Sequence, residues 1–499
     1  MILIRNRAPV IDDVPPTRLR RLNRAPVRER GAMVLYWMIS ARRRAWNPAL
    51  QRAAWWAAEL QRPLVILEAL RLDYPWASDR FHAWAIQGMR DNARDFTDCA
   101  ALYHPYVEPA PGAASGLLAG LAGHAAVVVS DDHPGFFFPR MLAAAATRLP
   151  VALEVVDGNG LLPMRAADHA YARAVDFRRF LQRELPAHLR WWPMADPLRG
   201  LPRRTWSMPT TLRRRFPPAD LDALLRPDGL ASLAIDHQVP PVAVQGGARA
   251  GRLRLRRFLG TLGEYLEARR TCEPSATSAL SPYLHWGHVG SHQVVAALLK
   301  QESWSPGRLA ATASGAKEGW WGLSTDAEAF IDQLVTWREL GFNACCHLPR
   351  CTTWASLPAW ARATLVGHAH DPRPQSYSLR DLERAATNDP LWNAAQRQLR
   401  HDGIIHNYLR MLWGKHLIAW SPSPRTALRR AFALNDRWAI DGRDPNSITG
   451  IMWLFGRYDH PWPPERSVSG SIRYMSSRSA MQKLRLRPYL ERWGRLPDP

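Results

Sequence analysis

Trp413 and Trp420 stand seven residues apart in the stretch HNYLRMLWGKHLIAW. Seven residues is two helical turns, so both indoles fall on one helix face. Met411, Leu412, Leu417 and Ile418 add apolar bulk, and Arg410 and Lys415 place cations inside or beside that surface. Such a surface suits packing against something large, flat and charged. A cation there requires an anionic partner, and Asp436, Asp441 and Asp444 follow on the next turn-rich segment.

Two other clusters carry reactive groups. Thr277, Ser278, Ala279, Leu280 and Ser281, followed by Pro282-Tyr283-Leu284, form a hydroxyl-rich turn entering a helix. Helix N-terminal amides and hydroxyls suit a pyrophosphate, and the same pattern also serves as an ordinary N-cap. Cys345, Cys346, His347 and Cys351 offer metal-ligand atoms. Adjacent cysteines point in different directions, however, and no second CxxC pair completes a tetrahedral set, so no metal is expected. The chain has five cysteines, unevenly spaced, and its first residues lack an apolar signal core. That combination predicts reduced thiols and a cytoplasmic location.

The elements that must position these groups fall into two kinds. Over residues 31–165, short apolar runs at 33–40, 63–70, 125–130 and 151–156 read as strands. Helical patterns at 47–61, 78–96 and 136–149 lie between them, with Asn47 before Pro48 as a helix start. This alternation predicts an α/β domain with a parallel sheet and right-handed crossovers. No GxGxxG or GxxxxGK[ST] follows a strand, so no nucleotide phosphate site of those kinds is expected. Residues 1–30, basic and proline-punctuated, read as a flexible leader. Residues 166–235 read as a connector, with 191–218 especially rich in Pro and Arg. From 236 to 495 strand signals vanish, and amphipathic helix patterns at 252–270, 291–300, 326–342 and 391–420 predict an all-helical domain. The net charge of +22 points to a polyanionic partner. Only four of the 66 cations are lysines, so the arginine excess is equally what GC-rich coding yields. No apolar run reaches the length of a membrane span.

WNAAQ (392–396), HNYLRMLW (406–413), LNDRWAIDGRDPN (434–446) and IRYMS (472–476), in that order, resemble the photolyase/cryptochrome flavoproteins. The closest branch is the class II cyclobutane pyrimidine dimer photolyases, and the likeness runs from about residue 31 to about 490. The resemblance implies a Rossmann-like α/β domain that can hold an antenna pigment, a deazaflavin or a folate, and a helical FAD-binding domain. It places Tyr265 and Thr277–Ser281 on the FAD diphosphate side. Asn407, Arg410, Asp441, Gly442 and Arg443 fall around the isoalloxazine, with Arg410 paired to Asp441, and Asn435 near flavin N5. Trp413, Trp392 and Trp420 match an electron-transfer chain, Trp413 nearest the flavin. Trp337, Met411 and Trp453 match a lesion pocket, with Trp462 and Arg473 nearby and Arg269 facing the lesion and its phosphates. Gln333 departs from the pattern, because that position usually holds a glutamate. The amide still donates a hydrogen bond to a pyrimidine carbonyl but cannot shuttle a proton. The implied function is light-dependent repair of UV-damaged DNA by a monomeric, metal-free enzyme. Two alternatives stay open: a cryptochrome-like photoreceptor, and a non-photochemical nucleic-acid-binding protein.

Overall fold

The computed structural model describes residues 11–273 and 277–494. A six-stranded sheet forms the first half: β1 (Leu19–Arg21), β2 (Met33–Met38), β3 (Leu64–Leu70), β4 (Ala101–Val107), β5 (Ala125–Asp131) and β6 (Ala152–Val156). The order is β1-β6-β5-β2-β3-β4, parallel except for β1, which pairs antiparallel with β6. The four expected apolar runs are β2, β3, β5 and β6. β2 and β5 are buried at every residue, as strands covered on both faces must be. β4 had no such signature. It contains Pro105 and lies at a sheet edge, where a missing N–H is tolerated.

Residues 11–30 correct the expectation of a leader. Ile11, Val14 and Arg18 are buried, and β1 extends the sheet. The Arg18 guanidinium donates to the carbonyls of Asp157 and Gly160, both at 3.1 Å. Two apolar anchors and an edge strand therefore hold a segment whose basic composition suggested solvation. Residues 1–10 lie outside the described residues.

The crossover helices start as expected. Asn47 Oδ1 accepts the Leu50 N–H at 3.0 Å and caps helix Pro48–Glu59. Helices Asp79–Phe96 and Phe138–Arg148 complete the expected set. The connector is less irregular than its composition suggests. Helix Ala174–His188 buries Phe177, Phe180, Leu181 and Leu185, with Pro186 in its last turn. The longest irregular stretch within the connector runs over about residues 191–209.

The loop after β2 sits at the topological switch between β2 and β5, where α/β sheets usually bind ligands. Here the chain's own carboxylate fills it. Asp131 Oδ2 accepts the N–H groups of Ile39, Ser40 and Ala41 at 2.7–3.0 Å, and Oδ1 accepts the Tyr36 hydroxyl at 2.7 Å. Those three amides are already satisfied and do not face a phosphate.

The second half is helical. The expected helix over 391–420 is two, Pro390–Asp402 and Asn407–Trp420. They break at Gly403, whose φ of +67° suits glycine. A Cβ there would lie 2.6 Å from Ile440 Cγ1, and the Ile440 N–H donates to the Gly403 carbonyl at 2.9 Å. The 252–270 pattern divides into helix Ala248–Leu259 and short turns through Ala268. Between helices Thr325–Ile331 and Arg338–His347 runs a π-helical turn, Asp332–Trp337. π turns are rare and concentrate at functional sites. A buried Arg178–Asp332 ion pair at 2.7 Å pins this one. Among the described residues, no helix is long and apolar enough to cross a membrane.

Candidate functional site

Helix Asn407–Trp420 is the spine of the site. Arg410, one turn into it, forms a two-pronged ion pair with Asp441 at 3.0 and 3.3 Å, and both side chains are largely buried. Beyond Asp441 the chain passes so close to the preceding helix that a Cβ on Gly442 would lie 2.9 Å from the Asn435 carbonyl oxygen. Asn435 is buried and donates to Asp436 Oδ1 at 2.9 Å and Ser447 Oγ at 3.0 Å. Burial pushes the Asp436 carboxyl up.

The Arg443 backbone N–H donates to Asp436 Oδ1 at 3.1 Å, but its side chain leaves this group. Its backbone is left-handed, with φ +69°, and its guanidinium lies 3.8 Å over Phe81, close to Phe136 and Trp286. It lines a different cavity of about 450 Å³, outside the C-terminal ends of β2 and β3, beside Trp37, Tyr74 and Glu108. The expected acidic partner of Lys415 is also corrected. Lys415 Nζ donates to the Leu454 carbonyl at 2.6 Å, and the acid that favours its charge is Asp459. Asp436 and Asp444 are engaged elsewhere, by Asn435 and His285.

The segment from Tyr265 to Ser281 meets the start of this spine at one end, and the residues just after it reach the 440–444 turn at the other. The Arg269 carbonyl accepts from His406 Nε2 at 2.9 Å, immediately before Asn407. At the other end, His285 pairs with Asp444 at 3.2 Å, and the Trp286 indole donates to the Ile440 carbonyl at 3.0 Å. Between them, Arg254 donates to the carbonyls of Ser278 at 2.6 Å and Thr277 at 2.5 Å. Ala279 is held at φ +48°, Leu280 is buried, and Ser281 opens a short helix. Tyr265 is wedged edge-on between Phe258 and Phe330. Arg269 is exposed, its guanidinium 6.0 Å from the Tyr265 ring.

Asn407 and Gln333 are both exposed although most residues around them in sequence are buried. Buried His406 Nδ1 has no hydrogen-bond partner. Amide side chains, an unpartnered ring nitrogen, a fixed Arg–Asp pair and a hydroxyl-bearing turn are a donor and acceptor set that fits a flavin dinucleotide.

On the buried side of the spine, the Trp413 and Trp392 rings stack in parallel, 6.3 Å between centroids and 5° between planes. Trp420 meets Trp392 edge-on at 5.5 Å. The i, i+7 expectation is met, with Trp392 inserted between the two as the middle member. The Trp413 indole donates to Gln396 Oε1 at 2.9 Å, and the Trp392 indole to the Trp413 carbonyl at 3.0 Å. At the outer end, His416 sits 4.7 Å from Trp420 and 3.3 Å from Asp389.

The opposite side carries the remaining aromatics. Lys415 Nζ lies 4.8 Å over the Trp453 ring. Arg473 lies 5.5 Å from Trp453 and 4.0 Å from Trp462, and pairs with Asp459 at 3.1 Å. Trp337 meets Tyr458 edge-on at 6.5 Å and borders the same apolar cluster as Trp453. Half-buried Met411 faces Gly450, one helix away. Together these make a wall of flat rings with fixed cations over them. Gln396, Arg254 and Asp459 were not singled out from sequence. Gln396 ends the WNAAQ string, so the motif alone could have raised it. Among the described residues, no three His, Cys, Asp or Glu side chains form a metal-binding group.

No protein-family model matches the chain. It is 32% identical over 484 residues to the deoxyribodipyrimidine photo-lyase of Methanothermobacter thermautotrophicus, covering 96% of this chain and 99% of that one. It is 31% identical to the deoxyribodipyrimidine photo-lyase of rice, covering 93% of this chain and 88% of the relative. A solved class III photolyase from Agrobacterium tumefaciens has the same fold, with a TM-score of 0.64 at 18% identity over 93% of this chain and 86% of the other. With such identity across nearly the whole of both sequences, the chain belongs to the photolyase/cryptochrome family, among its deoxyribodipyrimidine photo-lyase enzymes.

Proposed function

We propose that this protein repairs cyclobutane pyrimidine dimers in DNA under light, in the manner of class II photolyases, with FAD as its photoactive cofactor. The observation that carries the reading is the contiguous Trp413–Trp392–Trp420 stack, which starts one turn from the Arg410–Asp441 pair. When bound in reduced form, FAD would supply the photoexcited electron for opening the dimer. The chain's residues provide the rest. Arg410 and Asp441 would supply the fixed charges that hold the flavin, and Asn435 is held by two hydrogen bonds within the same segment. The three indoles carry electrons inward when the cofactor is oxidised, because short hops between easily oxidised rings outrun charge recombination.

Trp337, Met411 and Trp453 wall the space for a dimer turned out of the duplex. Gln333 donates an amide hydrogen bond to a pyrimidine carbonyl and moves no proton. Arg269 and Arg473 meet phosphates, so binding should weaken steeply with salt. The 450 Å³ cavity outside β2 and β3 suits an antenna, a deazaflavin or a folate. The photoreceptor alternative rests on Gln333 alone, whereas the relatives carry the photo-lyase name. The test is a dimer-removal assay with fully reduced holoprotein in light and in darkness. Light-dependent loss of dimers is expected, and none in the light would end the reading.

A further inference from the structure

Cys345 lies in the last turn of helix Arg338–His347, and Cys351 in the turn that follows. Their Sγ atoms are 3.4 Å apart. Both are half-buried, and both line an open cleft of about 1040 Å³ that also holds Arg350, Arg425 and Arg429. Neither takes part in the tryptophan stack or the aromatic wall.

Two features make this pair more than neighbouring thiols. The first is reach. A disulfide bond is about 2.05 Å long, so from 3.4 Å each sulfur needs to move only about 0.7 Å. The second is asymmetry. The hydrogen bond the two sulfurs share lowers the Cys351 thiol, while that bond and burial push the Cys345 thiol up, and Arg457 lies near both. One sulfur is therefore suited to attack, and the other to follow. Cys346 lines the same cleft but lies near Arg165 and Asp132, with its thiol raised by burial.

We propose that Cys345 and Cys351 form a reversible dithiol–disulfide site that reacts with low-molecular-weight disulfides of the glutathione class. The Cys351 thiolate attacks one sulfur of the oxidised disulfide, forming a mixed disulfide and releasing one thiolate. Cys345 gives up its proton and attacks Cys351 Sγ, closing the internal bond and expelling the second thiolate. The two thiolates take up the two protons lost by the cysteines, so the protein loses two electrons and the small disulfide gains them. Closure ties the end of helix Arg338–His347 to its following turn. That helix continues directly from the π turn bearing Gln333 and Trp337, so the latch acts from behind the aromatic wall.

The experiment treats full-length holoprotein with oxidised glutathione under native conditions, followed by intact mass and a non-reducing peptide map. The expected product has lost the mass of two hydrogens, carries a Cys345–Cys351 cross-link, and reverts with dithiothreitol. Cys345→Ser should instead stop at a stable glutathione adduct on Cys351. The proposal is overturned if the native protein accumulates a glutathione adduct without closure. It is equally overturned if both thiols stay open to alkylation after oxidation, or if the cross-link joins other cysteines.

Discussion

The same residue type stands in opposite surroundings on the two sides of helix Asn407–Trp420. Trp392, Trp413 and Trp420 are 0%, 1% and 6% exposed, and the indole N–H groups of the first two are met by neutral protein acceptors. Among the described residues, no Lys or Arg stands over any of the three rings. Across the helix, Trp462 is 37% exposed, Trp453 is half-buried, and Lys415 and Arg473 lie over their faces. A unit charge 5.5 Å from a ring, as Arg473 is from Trp453, opposes a second positive charge on it by roughly 3 kcal/mol at an effective dielectric of ~20. A cation-capped indole is a poor place for an electron hole and a good platform beside a polyanion. Placement of cations, and not of tryptophans, distinguishes the wall we propose for conduction from the one we propose for binding.

The sharpest way to break this contrast is to remove the middle of the stack. Trp392→Phe should all but abolish light-driven reduction of oxidised flavin while repair by pre-reduced protein continues. The measurement is flavin absorbance under illumination with an external thiol; undiminished reduction would mean the electrons take another route. Asp441→Asn touches the charge pair from which both walls extend. It leaves the largely buried Arg410 without its anion, a change that typically costs ~3–5 kcal/mol. Lower FAD retention and a lower melting temperature are expected, and normal values of both would assign the pair a lesser role. Trp453→Ala should spare photoreduction and weaken binding of dimer-containing DNA by about 2 kcal/mol, roughly 30-fold. Binding titrations on damaged and undamaged DNA check it, and equal losses on both would mean Trp453 holds backbone only.

Lys415 tests the charged side by pH. Burial lowers its ammonium from 10.5 to about 7, partly offset by Asp459 and deepened by Arg473. Below pH 7 both folded and unfolded chains carry the proton, so the cost of the buried charge is fully present. Between about 7 and 10.5 the unfolded chain binds a proton that the folded chain does not, and stability from this group rises with pH. Lys415→Met should therefore stabilise most below pH 7, the gain shrinking as pH rises. Thermal unfolding of both proteins from pH 6 to 9 reads this directly, and a constant difference across that range would contradict it.

Trp413 and Trp420 were legible as one helix face from their spacing of seven, whereas Trp392, on the neighbouring helix, was named only through the family resemblance. The need for an acid near Arg410 was legible from the cost of burying a lone cation. What could not be read depends on distant partners. Arg443 follows Asp441 by two residues, yet a left-handed backbone turns its side chain into the other cavity. Lys415 finds Leu454 and Asp459 instead of the acids nearer in sequence, because helix Pro445–Leu454 crosses the spine at that level. β1 and β4 lack the apolar run that marks a doubly covered strand, and each occupies an edge. The helix over 174–188 was hidden behind the proline and arginine content of the segment around it, although its buried Phe177, Phe180, Leu181 and Leu185 follow a helical period.

The smallest expected effect concerns Gln333, exposed on the π turn four residues before Trp337. The π turn fixes its backbone through the Arg178–Asp332 pair, so a change of head group should not move it. Gln333→Glu replaces an amide that only donates and accepts hydrogen bonds with a carboxyl that can also carry a proton. If the rest of the binding wall is intact, repair yield per absorbed photon should rise by a factor corresponding to about 1 kcal/mol, a few-fold. Photoreduction, which runs through the other wall, should stay the same. A yield that is unchanged or lower, with photoreduction equally unchanged, would show that the amide already serves the reaction as well as the acid does. The difference between the two walls would then lie in their cations alone.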